Sequence, residues 1–210
     1  MPVSTRICPR RGLYVITPDG LDSPRLLRAV EAALRGGAVM LQYRSKSVDS
    51  NQRREQASDL LALCERYQAT VIVNDDPLLA QALGTGVHLG EHDSAVADAR
   101  ALLGSGAIIG ASCYDDPGRA ERAARDGADY LAFGAFHPSS TKPHARRASP
   151  QLLREAARFG LPRVAIGGIT ADNARPLIEA GADLLAVVSA VFDAPDIEAA
   201  ARRFAQLFQD

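Results

Sequence analysis

The chain has no tryptophan, and aromatic residues make up only 5% of its 210 positions. That scarcity disfavours an aromatic-rich β-sandwich and suits helices packed closely on a sheet through small side chains. Cysteine is also sparse. Cys8, Cys64 and Cys113 are odd in number and widely separated, so neither a disulfide framework nor a Cys-rich zinc pattern fits them. A reducing, cytoplasmic compartment is the expectation. Neither sign of charge is in excess: 24 Lys plus Arg against 25 Asp plus Glu leave a net charge of -1. Nothing there calls for a nucleic-acid partner. No apolar run reaches the ~18 residues that mark a spanning helix, so no membrane partner is expected. The segment from Met1 to Arg11 carries Arg6, Arg10 and Arg11 without the apolar stretch of a secretory signal. Also missing are a GxGxxG turn and a GxxxxGK[ST] loop, the fingerprints of nucleotide-binding open sheets.

What the chain does have is apolar residue in quantity, 47% of the total, arranged as alternating short runs and amphipathic segments. The short runs are 13–17, 39–44, 70–75, 87–90, 108–112, 130–134, 163–168 and 184–189. Stretches such as Val71-Ile72-Val73 and Ala186-Val187-Val188 read as strands buried on both faces, which implies a parallel sheet. Between them, Leu26, Leu27, Val30, Ala33 and Leu34 share one helical face. Asp22-Ser23-Pro24 forms the entry to that helix and Gly36-Gly37 its exit. Gly37-Ala38, Gly127-Ala128-Asp129 and Gly181-Ala182-Asp183 each end a helix and lead into a strand, glycine permitting the left-handed stop. Eight strand–helix units predict an α/β fold, a single-domain (β/α)8 TIM barrel over 12–210, with 1–11 as an N-terminal extension. An open doubly wound sheet is the alternative.

Barrel chemistry gathers at the C-terminal ends of strands, and the polar residues fall there. Arg44 and Lys46, two apart, supply a planar fork and a point charge suited to a polyphosphate; a solvated strand end would also explain them. Asp75 and Asp93 close neighbouring strands and suit Mg2+, which takes one or two carboxylates plus water and substrate oxygens. Helix capping competes for Asp76 and Asp93. Lys142 lies in a long polar loop. Neutralising phosphate fits it better than a Schiff base, which needs a desolvated lysine. Gly167-Gly168 and Val188-Ser189 match the barrel arrangement that holds a phosphomonoester. His88 reads as a hydrogen-bonded core residue. His92, His137 and His144 lack zinc spacing, and Cys113 reads as a small packed side chain.

These strand ends, taken in order, resemble the thiamine-phosphate synthase (thiamine-phosphate pyrophosphorylase) family. The segments that carry the resemblance are Leu41-Gln42-Tyr43-Arg44-Ser45-Lys46, Val73-Asn74-Asp75-Asp76, Gly86-Val87-His88-Leu89-Gly90, Gly110-Ala111-Ser112, Thr141-Lys142, Ala165-Ile166-Gly167-Gly168-Ile169 and Val187-Val188-Ser189-Ala190. The resemblance spans roughly 13–208. It implies a transferase of thiamine biosynthesis, joining 4-amino-2-methyl-5-hydroxymethylpyrimidine diphosphate to 4-methyl-5-(2-phosphoethyl)thiazole and releasing pyrophosphate. By the same resemblance Gln42, Arg44, Lys46, Asn74, Ser112 and Lys142 hold the pyrimidine diphosphate, with Arg44, Lys46, Ser112 and Lys142 acting in catalysis. Asp75 and Asp93 hold Mg2+. Ser139 and Thr141 contact the thiazole, and Gly168, Val188 and Ser189 cradle its phosphate. The implied mechanism is dissociative, pyrophosphate leaving before the thiazole nitrogen attacks. Two departures stand out: Glu91 replaces the family's usual Gln, adding negative charge near the metal, and Ser139 replaces Thr. The sister thiazole tautomerases and a non-catalytic phosphate-binding barrel are the alternatives. Partners are the two small substrates, and a homo-oligomer is compatible with the sequence.

Overall fold

The computed structural model describes residues 11–46, 49–138 and 146–209. Eight strands, β1 (Gly12–Ile16), β2 (Ala38–Tyr43), β3 (Thr70–Asn74), β4 (Gly86–Leu89), β5 (Ile109–Tyr114), β6 (Tyr130–Phe133), β7 (Arg163–Ile166) and β8 (Leu184–Val187), form a closed barrel in sequence order. All neighbours are parallel, and β1 closes on β8 through Leu13↔Leu185 and Val15↔Val187. The helices between them are α1 (Ser23–Arg35), α2 (Ser50–Arg66), α3 (Pro77–Leu83), α4 (Val96–Leu103), α5 (Pro117–Arg125), α6 (Pro150–Glu155) and α7 (Arg175–Glu179). A 3-10 turn, Ala156–Phe159, extends α6, and α8 (Ser189–Phe192) and α9 (Ile197–Gln206) follow β8. Among the described residues no helix is long and apolar enough to cross a membrane.

The helix entries are chemical. Asp22, Asp49, Asp76, Asp116 and Asp196 each accept a hydrogen bond from a first-turn N–H of the helix that follows. This satisfies donors that the helix itself leaves unpaired. Proline follows three of these caps, at Pro24, Pro77 and Pro117, where its missing N–H costs nothing. At the exits, Gly37, Gly127 and Gly181 take φ values of 99°, 95° and 101°, the left-handed region that a side chain resists.

The repeated Gly-Ala-Asp signature has a second purpose that sequence spacing did not disclose. Asp129 Oδ2 accepts from Ile109 N at 2.7 Å and from Arg100 Nη2 at 2.6 Å. Asp183 Oδ2 likewise accepts from Arg163 N and Nε, at 2.9 and 3.1 Å. Each aspartate thus clips the start of the preceding strand at the floor of the barrel.

Side chains alternate along the strands. Leu13, Val15, Leu41, Val71, Leu131 and Leu185 pack outward beneath the helices. Tyr14, Met40, Ile72, Tyr130, Val164 and Leu184 fill the interior, making a plugged core that leaves only the C-terminal rim for chemistry. Cys64 and Cys113 are buried, and burial pushes both thiols up to about 12, which removes them as nucleophiles.

Candidate active site at the barrel mouth

Residues at the ends of β2 and β3 form one wall. The chain leaves β2 through Gln42, which is buried, and Arg44, which is pinned twice. Its backbone N–H donates to Thr17 Oγ1 at 2.8 Å, and Thr17 Oγ1 donates to Arg44 O at 2.7 Å. The Arg44 guanidinium donates to Asp19 Oδ2 at 2.6 Å, while Asp19 Oδ1 accepts from Lys46 N at 3.0 Å. Asp19, in the loop after β1, therefore holds the Arg44 guanidinium and the Lys46 backbone. Arg44, Lys46, Asn74 and Asp75 line a cleft of about 210 Å³ with Arg53, Asp76 and neighbouring side chains.

Asp75 lies just beyond β3 with φ 60°, a left-handed value unusual for a residue with a side chain. Its N–H donates to His88 O at 2.9 Å, which ties the end of β3 to β4. The residue is open to solvent at the mouth, yet its carboxyl is crowded. Partial burial, then the hydrogen bond and like charge of Asp93, push it up to about 6, against weaker pulls from Asn74 and Arg44. Asp93 does not cap the next helix: α4 starts after Ala95, and Asp93 Oδ2 instead accepts from Gly90 N at 2.6 Å. Asp76 does cap, accepting from Leu79 N at 2.9 Å. Two neighbouring carboxyls whose like charges raise the Asp75 carboxyl form an arrangement that a hard dication would stabilise. No group of three or more His, Cys, Asp and Glu able to hold a metal occurs among the described residues. Two carboxylates with the remaining positions left to water and phosphate oxygens fit Mg2+, not a closed zinc site.

The adjoining wall comes from β4 and β5. Ser112 is half-buried, its Oγ 2.9 Å from His88 Nε2. His88 is a buried, hydrogen-bonded interior residue, as its position in an apolar strand suggested. Glu91 does not stand as an uncompensated charge. Arg119 of α5 lies 3.7 Å from its carboxylate, donates to Ser112 O at 3.2 Å and covers the Tyr114 ring at 5.6 Å.

Between β7 and α7, Gly167 and Gly168 have φ values of 99° and 64°, and a Cβ on Gly168 would collide with the carbonyl oxygen of Pro138. Asn173 Nδ2 donates to Gly168 O at 3.0 Å and its Oδ1 accepts from Thr170 N at 2.9 Å, bracing this turn. Val188 and Ser189 follow β8 beside it, Val188 O accepting from Phe192 N at 3.0 Å. Ser139, Thr141 and Lys142 lie outside the described residues. The structure thus brings Gln42, Arg44, Lys46, Asn74, Asp75, Asp93, Ser112, Gly168, Val188 and Ser189 to the same end of the barrel.

A reading restricted to strand ends missed Asp19, Arg53, Arg119 and Asn173. Arg53 is in the first turn of α2, and its Nε is buried without a hydrogen-bond partner. The first turn of a helix after a barrel strand also faces the mouth, and scanning those turns for cations would have found both arginines.

The comparisons with known proteins agree. A family model described as thiamine monophosphate synthase matches residues 13–191. Thiamine-phosphate synthase from Methylobacillus flagellatus is 56% identical over 201 residues, covering 95% of this chain and 96% of that protein. The Thiobacillus denitrificans thiamine-phosphate synthase is 54% identical over 199 residues, 94% of each. Among solved structures, thiamine phosphate pyrophosphorylase from Pyrococcus furiosus superposes with a TM-score of 0.84 at 34% identity, covering 96% of both chains.

Proposed function

The chain belongs to the thiamine monophosphate synthase family, and from that premise we propose how its barrel mouth joins the aminopyrimidine-methyl diphosphate to the phosphoethyl-thiazole. One half of the mouth breaks a bond. Gln42, Asn74 and Ser112 hold the pyrimidine, and Arg44, Lys46 and Lys142 are the cations that would neutralise the diphosphate. As the methylene C–O bond opens, its electron pair leaves with pyrophosphate, and negative charge grows on the bridging oxygen. Cations fixed in advance stabilise that growth without reorganising. Asp19 holds Arg44 in place before substrate arrives. Asp75 and Asp93 are the residues that would hold Mg2+, which when bound neutralises charge on the departing diphosphate.

The other half captures the cation. Loss of pyrophosphate leaves a pyrimidine-methyl cation whose charge the ring amino group shares, and the thiazole nitrogen supplies the electron pair for the new C–N bond. Ser139 and Thr141 contact the thiazole, and Gly168, Val188 and Ser189 cradle its phosphate through backbone N–H groups. No proton need be removed from a ring nitrogen to make it nucleophilic. Among the described residues neither cysteine, Cys64 or Cys113, is activated, which accords with that.

The observation that carries this reading is the Asp75–Asp93 pair beside Arg44 and Lys46. A thiazole tautomerase moves a proton and needs no apparatus for a diphosphate. A cytoplasmic setting fits the free, buried Cys64 and Cys113. The test mixes both substrates with Mg2+ and follows thiamine monophosphate, with an EDTA control. Formation of product that stops with EDTA is expected, as is collapse of turnover in Asp93→Ala and Lys142→Ala. Isomerisation of the thiazole without coupling would overturn the assignment.

A further inference from the structure

Beneath the mouth, a single file of hydrogen bonds crosses the barrel interior. Gln42 Nε2 donates to Tyr14 Oη at 2.8 Å, and Tyr14 Oη lies 2.9 Å from Tyr130 Oη. Tyr130 Oη lies 2.9 Å from His88 Nδ1, and His88 Nε2 lies 2.9 Å from Ser112 Oγ. Four of the five residues are buried: Gln42 at 4%, Tyr14 at 1%, Tyr130 at 0% and His88 at 8% exposure. The rings are also packed on one another. Tyr14 meets Tyr130 edge-on, and His88 stacks on Tyr130 within 18° of parallel. Room for the Tyr130 ring comes from Gly110, where a Cβ would overlap that ring.

The file runs from β2 through β1, β6 and β4 to β5, joining Gln42 and Ser112, two of the three residues read above as holding the pyrimidine. Gln42 Nε2 is the obligate donor at one end, and in the order where every member both accepts and donates along the file Tyr14 Oη accepts from Gln42 and gives its own proton to Tyr130. Tyr130 then donates to His88 Nδ1, which leaves the proton on Nε2 to be donated to Ser112 Oγ. We infer that Tyr14, Tyr130 and His88 are positioning residues that hold His88 as the neutral Nε2–H tautomer and thereby set the hydrogen-bonding roles of Gln42 and Ser112 toward substrate.

Ser112, accepting from His88, keeps its own O–H to give. Gln42, its nitrogen engaged with Tyr14, keeps its carbonyl to accept. One donor and one acceptor complement an aminopyrimidine, which offers a ring-nitrogen lone pair and an amino N–H. A ligand with the reverse pattern would leave buried polar groups unpaired, a penalty larger than the gain from a good match. The substrate part of this inference rests on the function proposed above; the tautomer part does not.

Ring-nitrogen NMR of the histidines in the substrate-free protein, with His88→Gln to identify the signal, reads the tautomer directly. An Nε2–H ring with unprotonated Nδ1 is expected. An Nδ1–H tautomer or an imidazolium at neutral pH overturns the inference, whether or not the protein proves to be a synthase. Tyr130→Phe should release the tautomer and raise the KM for the pyrimidine diphosphate about ten-fold, one hydrogen bond's worth, leaving the KM for the thiazole phosphate unchanged. Equal movement of both constants, or of neither, refutes the substrate part. Should Tyr130→Phe not fold, His88→Gln against His88→Leu replaces it, glutamine restoring most of the pyrimidine KM. Tyr67→Phe serves as the control: it removes a hydrogen bond to Glu31 outside the barrel and should change neither readout.

Discussion

Replacing Asp93 by asparagine removes one charge from the mouth while keeping its shape. The side-chain oxygen that accepts from Gly90 N at 2.6 Å survives the exchange, so β4 and its loop should hold their course. What is lost is attraction for a dication. Two unit charges about 4 Å apart interact by about 1 kcal/mol in bulk water and about 4 kcal/mol at the effective dielectric of a protein surface. The mouth is open to water, so the lower figure, doubled for a divalent ion, applies: about 2 kcal/mol, or about 30-fold in Mg2+ affinity. The pH dependence is a sharper mark. In the native protein a proton competes with the cation, because Asp75 is pushed up to about 6 by partial burial and by its neighbour Asp93. Affinity for Mg2+ should therefore fall as pH drops through 6, by about ten-fold for each further pH unit. In Asp93→Asn the partner's charge is gone, Asp75 moves part of the way down while its burial still raises it, and the fall in affinity between pH 7 and 5 becomes shallower. Calorimetric titration with Mg2+ at several pH values measures both effects. Equal affinity in the two proteins at pH 7.5, or parallel pH curves, would refute the idea that these carboxylates share one cation.

The same shift predicts a stability effect in metal-free protein. The folded state binds more protons than the unfolded state between the ordinary carboxylate value of 3.8 and about 6. Asp75's contribution is thus present below that window and is lost as pH rises through 6, and melting curves of Asp93→Asn should show a weaker loss. Glu91→Gln should leave the Mg2+ requirement nearly unchanged, because Arg119 already offsets the charge at 3.7 Å; a marked gain in Mg2+ affinity would mean the pairing is ineffective. Gly110→Ala forces a methyl group into the Tyr130 ring, and urea unfolding should register a loss of about 1–3 kcal/mol or more; a loss below about 0.5 kcal/mol would mean that the ring has room to move. Gly168→Ala meets both a left-handed φ of 64° and the Pro138 carbonyl, and should raise the KM for the thiazole phosphate more than that for the pyrimidine diphosphate.

Barrel topology was legible because each unit is punctuated locally: aspartate and proline open helices, glycine closes them, and apolar runs of strand length lie between. Strand ends differed by one or two residues where side-chain chemistry takes over from the ladder, as at Asp75, whose left-handed φ ends β3 one residue early. The rim positions were legible for the same reason, since strand order in a barrel dictates which loops meet. Contacts between units were not. That Asp19 would pin Arg44, that Arg119 would reach Glu91, or that Asp129 would clip β5 depends on register between elements 20 to 28 residues apart. No local pattern encodes it. The interior file from Gln42 to Ser112 was least visible of all, because its tyrosines look in sequence like ordinary core aromatics. Only the closed barrel brings Tyr14 and Tyr130, 116 residues apart, within 2.9 Å.

Dividing the mouth into a half that releases pyrophosphate and a half that binds thiazole phosphate is best tested in the double variant Asp75→Asn/Asp93→Asn. Its affinity for the thiazole phosphate, measured by calorimetry beside its rate of thiamine monophosphate formation, should match that of the native protein while the rate falls by about a thousand-fold or more. Retained turnover, or loss of thiazole phosphate binding together with turnover, would contradict the division.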